Sequence, residues 1–79
     1  MQAVTILTPL VFWPTVNVSH EGSIVPRYVS CSGEQHIYPP ATPGTILLEA
    51  SPGRHLVKLE GHDAFRFCGP DEFKVLNPE

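Results

Sequence analysis

The sequence predicts an all-β domain, a small antiparallel barrel or sandwich of six or seven short strands. Three observations carry that expectation. Nine Pro and six Gly cut the 79 residues into short pieces. Those pieces are rich in Val, Ile, Leu, Phe and Thr, which suit a pleated, half-buried surface. No window holds the sustained 3.6-residue apolar stripe of an amphipathic helix. A chain of this length makes one domain, spanning 1–79.

The elements follow in order. Gln2 to Thr8 reads as the first strand. Val11 to Val18 reads as a second with Pro14 inside it, and proline has no N–H to give a ladder, so this strand lies at an edge or bends there. A turn at His20-Glu21-Gly22-Ser23 leads to a third strand over Ile24 to Cys31, with Pro26 restricting it in the same way. Prolines in two strands suggest a blunted sheet edge. Residues 32–44 form the longest stretch without a strand pattern, a Pro-rich loop ending in Pro39-Pro40-Ala41-Thr42-Pro43-Gly44.

The second half alternates more clearly. Ile46, Leu48 and Ala50 share one side of a strand, and His55, Val57 and Leu59 one side of the next. Ser51-Pro52-Gly53 suits the hairpin between them. Leu47 and Leu56 interrupt the polar side, and pairing across the hairpin is one way to cover them. Turns at Gly61-His62-Asp63 and Gly69-Pro70-Asp71 introduce two more strands, with Phe65, Phe67, Phe73 and Val75 facing inward. The C-terminal half, Thr45 to Leu76, is thus expected to be a four-stranded β-meander with a phenylalanine-rich core.

Charge narrows the functions. Five Lys and Arg against eight Asp and Glu leave a net charge of −3. A nucleic-acid surface gathers bases, because phosphate neutralisation carries most of the affinity, and here they are scattered. Only a fold that collected Arg54, Lys58 and Arg66 would alter that, so no nucleic-acid partner is expected. Neither a charge run nor an apolar run of roughly 20 residues suggests a membrane. The N-terminus has no base before Arg27, and Thr5 and Thr8 interrupt its apolar residues, so the expectation is a chain made without a secretory signal. On that reading the sequon Asn17-Val18-Ser19 is incidental.

Motifs for chemistry are sparse. There is no nucleophile elbow, Walker loop or dinucleotide fingerprint. Acids flank turns at Glu60 and Asp63 and at Asp71 and Glu72, where solvated carboxylates are common. His55, His62 and Cys68 are the one set that neighbouring strands could gather around a metal. Nothing in their spacing requires it, and the expectation is no metal, no cofactor and no enzyme. Cys31 and Cys68 are open to three readings: reduced buried thiols, a strand-joining disulfide, or a thiolate used in catalysis or metal binding.

Apolar residues in excess of one core point to a protein interface. Phe12 and Trp13 are adjacent, so an extended strand sends them to opposite sides. Tyr28 and Tyr38 lie near the Pro-rich loop, and aromatics are enriched where partners meet. The interface candidates are Phe12, Trp13, Tyr28, Tyr38, Pro39, Pro40, Pro43 and Leu47. Pro40-Ala41-Thr42-Pro43 also has PxxP spacing, but no base flanks it as a polyproline ligand would need.

Low charge, proline-blunted edges, strands apolar on both sides and a long arm suit packing into a larger object. In these features and in its size the chain resembles the small β-structured accessory proteins of tailed-phage virions, the capsid cement, head–tail joining and tail proteins. The resemblance implies a non-enzymatic structural or assembly protein in a virion or the cytoplasm. Its partners would be protein, either copies of itself or a larger assembly. It assigns no role to an individual residue. The alternative is a monomeric SH3-like or OB-like module that takes a peptide or ligand on a patch of Trp13, Tyr28 and Tyr38.

Overall fold

A computed structural model describes residues 2–19 and 28–76, with Tyr28 described by its backbone alone. The described chain is all-β and contains nine strands, more than the expected six or seven. They are β1 (Gln2–Ile6), β2 (Leu10–Phe12), β3 (Thr15–Ser19), β4 (Tyr28–Ser32), β5 (His36–Tyr38), β6 (Pro43–Ser51), β7 (Arg54–Leu59), β8 (Phe65–Cys68) and β9 (Phe73–Val75). They form a five-stranded sheet in the order β8-β7-β6-β1-β9 and two two-stranded pairs, β2-β5 and β3-β4. All pairings are antiparallel, and no closed barrel forms among the described residues. No described helix is long and apolar enough to cross a membrane.

The extra strands come from prolines and from the supposed loop. Pro14 divides the expected strand 11–18 into β2 and β3. Trp13 stays with the first piece, exchanging two backbone hydrogen bonds with Phe65 (2.9 and 2.7 Å). After Pro14 the chain leaves that edge, and β3 pairs only with β4. The expected strand 24–31 is seen from Tyr28 on; its earlier residues and the 20–23 turn lie outside the described residues. Within 32–44, β5 pairs Leu10 with Tyr38 and Phe12 with His36, so the loop is interrupted by a strand. Alternation explains it, because Tyr38 turns inward against the core while Ile37 points out, 71 % exposed.

The four-stranded meander also needs correcting. β6, β7 and β8 are successive neighbours, but β9 crosses to the far side and pairs with β1. Two causes are visible. Trp13 already occupies the outer edge of β8 at Phe65. On β1, Val75 and Phe73 find the buried Val4 and Ile6 as direct partners. A turn between Gly69 and Glu72 redirects the chain: the Glu72 N–H donates to the Gly69 carbonyl, and the Gly69 N–H donates to the Glu72 carboxylate (3.0 and 2.9 Å).

The core is mainly aliphatic. Val4, Ile6, Val57 and Leu59 from the large sheet meet Leu10 and Phe12 from β2, with Ala64, Cys68 and Phe73 closing it. Phe65 and Phe67 are only half-buried, so of the phenylalanines expected to face inward only Phe73 is buried, and Phe12 joins it from β2. Gly44 lies tight against β7: an added Cβ would stand 2.9 Å from the Lys58 carbonyl oxygen. The hairpin Ser51–Arg54 turns through Pro52 and Gly53, whose φ of 79° is the left-handed value such turns need.

Candidate functional site

The same proline that splits the second strand opens a groove. After Trp13 the β3–β4 ribbon diverges from β8 and leaves a space of about 380 Å³, open to solvent. One wall is the β4 segment Val29, Ser30 and Cys31. The other wall is Arg66 and Phe67 of β8, with Arg54 at the start of β7 and Trp13 at the fork.

The groove is aromatic and basic. The Arg54 guanidinium lies over the Phe67 ring, 4.9 Å from its centroid, in cation–π range. Arg66 is held more firmly: it donates to the Glu72 carboxylate (2.9 Å) and to the Val11 carbonyl (3.1 Å). Its Nε is buried and has no partner among the described residues. Burial alone would push the Glu72 carboxyl up, but the Gly69 amide and the Arg66 guanidinium outweigh it and hold Glu72 below its ordinary value. No acid lines the groove among the described residues.

Both cysteines are free. Burial raises the Cys31 thiol above its ordinary value, with Arg54 and Arg66 pulling back. Cys68 is 1 % exposed, and burial, aided by the nearby Glu72 charge, pushes its thiol up to about 11. Both thiols are thus held in the protonated form more firmly than a free cysteine, the opposite of an activated thiolate nucleophile. Their disulfide reading does not describe this structure.

The metal set separates. His55 and Cys68 are direct partners across β7 and β8, but His62 packs on Tyr38 with ring centroids 5.3 Å apart. His55 stands edge-on to Phe73 and 4.0 Å from the Glu49 carboxylate. No group of three or more His, Cys, Asp or Glu positioned to hold a metal is found among the described residues.

The interface candidates are scattered as well. Phe12 is 1 % exposed and meets Tyr38 edge-on at 5.6 Å, so it belongs to the core. Trp13 lines the groove, whereas the side chain of Tyr28 lies outside the described residues. Tyr38 packs on Phe12 and His62 and does not reach the groove, so Trp13 and Tyr38 form no single patch. Pro39, Pro40 and Pro43 are exposed. Leu47 is half-buried at a bulge, where the register slips so that Leu48, not Leu47, faces Leu56.

Sequence reasoning did not single out Arg54, Arg66 and Phe67 as groove residues. The available signal was the spacing of Arg54, Lys58 and Arg66. The fold gathers Arg54 and Arg66 but places Lys58 between Thr45 and Phe65. Fold and site together define a small all-β domain with a groove between two strand edges. No protein-family model, curated protein or solved structure matches the chain.

Proposed function

We propose that this chain is a non-enzymatic structural protein that packs against neighbouring subunits in a larger particle, of the kind its resemblance to tailed-phage accessory proteins implies. The observation that carries the reading is the β3–β4 ribbon. Its register puts Thr15, Asn17, Ser30 and Ser32 on one face and Val16, Val18, Val29 and Cys31 on the other. The polar face is tied together by the Asn17 amide donating to the Ser30 and Ser32 hydroxyls (3.5 and 3.1 Å). The apolar face is left partly bare: Val18 is 44 % exposed and none of the four residues is fully buried. A two-stranded ribbon is marginal in water by itself, and a neighbour covering that face would stabilise it.

The groove favours the second reading, a monomeric module that binds a peptide through an aromatic surface. That surface would be Trp13 and Phe67 with Arg54, not Trp13 with Tyr38. Light scattering of the untagged chain on a sizing column, over a range of concentrations, separates the two. A defined oligomer supports assembly. A monomer at every concentration removes self-assembly and leaves two readings, a protein that packs only onto a preformed particle and the binding module, which a pull-down against candidate partners separates.

A further inference from the structure

We infer that the groove takes an extended, acidic segment of a different protein, which enters as an added strand between β4 and β8. The inference rests on the assembly reading and names the chemistry of one partner in it.

Geometry supplies the first argument. β8 is the end strand of the large sheet and β4 belongs to a two-stranded pair, so each has an edge with no strand partner among the described residues. Trp13 bridges antiparallel to β8 at Phe65, and the residues before it, Val11 and Phe12, pair with β5 and not with β8. Three successive β4 residues, Val29, Ser30 and Cys31, line the groove, as a strand seen along its edge does. Strand edges offer backbone donors and acceptors to an incoming strand, and side-chain pockets choose its sequence.

Charge supplies the second. Two of the five bases of a chain with net charge −3 meet in this groove. Arg66 is engaged by Glu72, but Arg54 has its guanidinium spread on Phe67 with no carboxylate partner among the described residues. A carboxylate can bond the guanidinium while apolar side chains beside it cover Trp13 and Phe67. Two cations are too few for a nucleic acid, whose binders neutralise several phosphates. A second copy is disfavoured by its own acids. Among the described residues, Glu34, Glu60, Asp63, Asp71 and Glu72 lie between strands, and Glu49 is the one acid within a strand.

Trp13 is the chain's one tryptophan and lines the groove, so its emission reports occupancy. The full chain is titrated with the capped peptide Thr-Glu-Val-Asp-Val-Thr and with its neutral analogue Thr-Gln-Val-Asn-Val-Thr. The acidic peptide should shift the emission saturably and bind about tenfold more tightly than the analogue, with affinity falling as salt rises. Arg54→Gln, at an exposed position, should weaken the acidic peptide about tenfold while near-ultraviolet dichroism stays unchanged. Equal affinity for the two peptides overturns the proposal, as does no response at millimolar acidic peptide. Tighter binding of an oligothymidylate overturns it in favour of a nucleic acid. Dissociation of an oligomer by the acidic peptide overturns it in favour of a second copy. A monomeric chain that binds the acidic peptide retains the groove assignment and removes self-assembly, whereas an oligomer blind to the peptide removes the groove assignment alone.

Discussion

The five-stranded sheet and the β3–β4 ribbon are built from similar residues and held in different ways. In the sheet, Val4 and Ile6 of β1 and Val57 and Leu59 of β7 are at most 1 % exposed. In the ribbon no described side chain is fully buried, and its packing is chiefly between its own two strands. Its valines alternate as regularly as those of the sheet. What differs is the layer opposite: β2 covers the sheet with Leu10 and Phe12, while nothing described covers Val18. Backbone pairing shapes a strand, but removal of apolar area from water supplies most of the stability. The ribbon is thus the least stable part of the described chain and the part with most to gain from a neighbour.

The sharpest test of that contrast is Phe12→Ala. The side chain fills the space between the sheet and β5 and stacks edge-on with Tyr38. Its loss should destabilise the domain by about 3–5 kcal/mol, a large part of what a domain of this size has. The shift in urea midpoint measures it. A change below about 1 kcal/mol would mean that Phe12 is not a core residue and that the contrast is misdrawn.

The sequence reading reached as far as local rules reach. Strand character, the Pro52-Gly53 hairpin and the inward set Val57 and Leu59 follow from alternation and turn chemistry. The placing of β9 beside β1 does not, because it depends on which edge is still free when the chain returns. One bulge at Leu47 was enough to change the partner of Leu56. The groove was hidden for a related reason. Arg54 and Arg66 are twelve positions apart, and they share a wall only because β7 and β8 pair side by side. Phe12 and Trp13 do go opposite ways, as an extended strand requires: one into the core, the other into the groove.

A smaller effect is expected where the sheet meets the groove. Glu72→Gln keeps an acceptor for the Gly69 amide but removes the charge facing Arg66. Both side chains are partly exposed, so the loss should be about 1 kcal/mol. Because Glu72 titrates below its ordinary value in the folded chain, its contribution is complete above the ordinary glutamate pKa of about 4.3 and disappears as the pH falls through the lower folded value. Thermal melts at pH 7 and at pH 3 should therefore separate wild type from Glu72→Gln at the higher pH and bring them together at the lower. A gap that widens in acid would reverse the assigned sign.

The smallest effect on folding belongs to the ribbon, and there a near-zero result is the informative one. Val18→Ser replaces a half-exposed valine with no buried neighbour on its strand. Stability of the isolated chain should change by at most about 0.5 kcal/mol, as for other surface substitutions. If a neighbouring subunit covers this face, the same change removes apolar area from an interface, and the association constant should fall severalfold by sedimentation or light scattering. The two numbers together test the contrast between regions. A large loss of stability with unchanged association would mean that the ribbon is held by its own chain, as the sheet is. Unchanged stability with weakened association would locate a contact surface on the side of the molecule that its own core leaves bare.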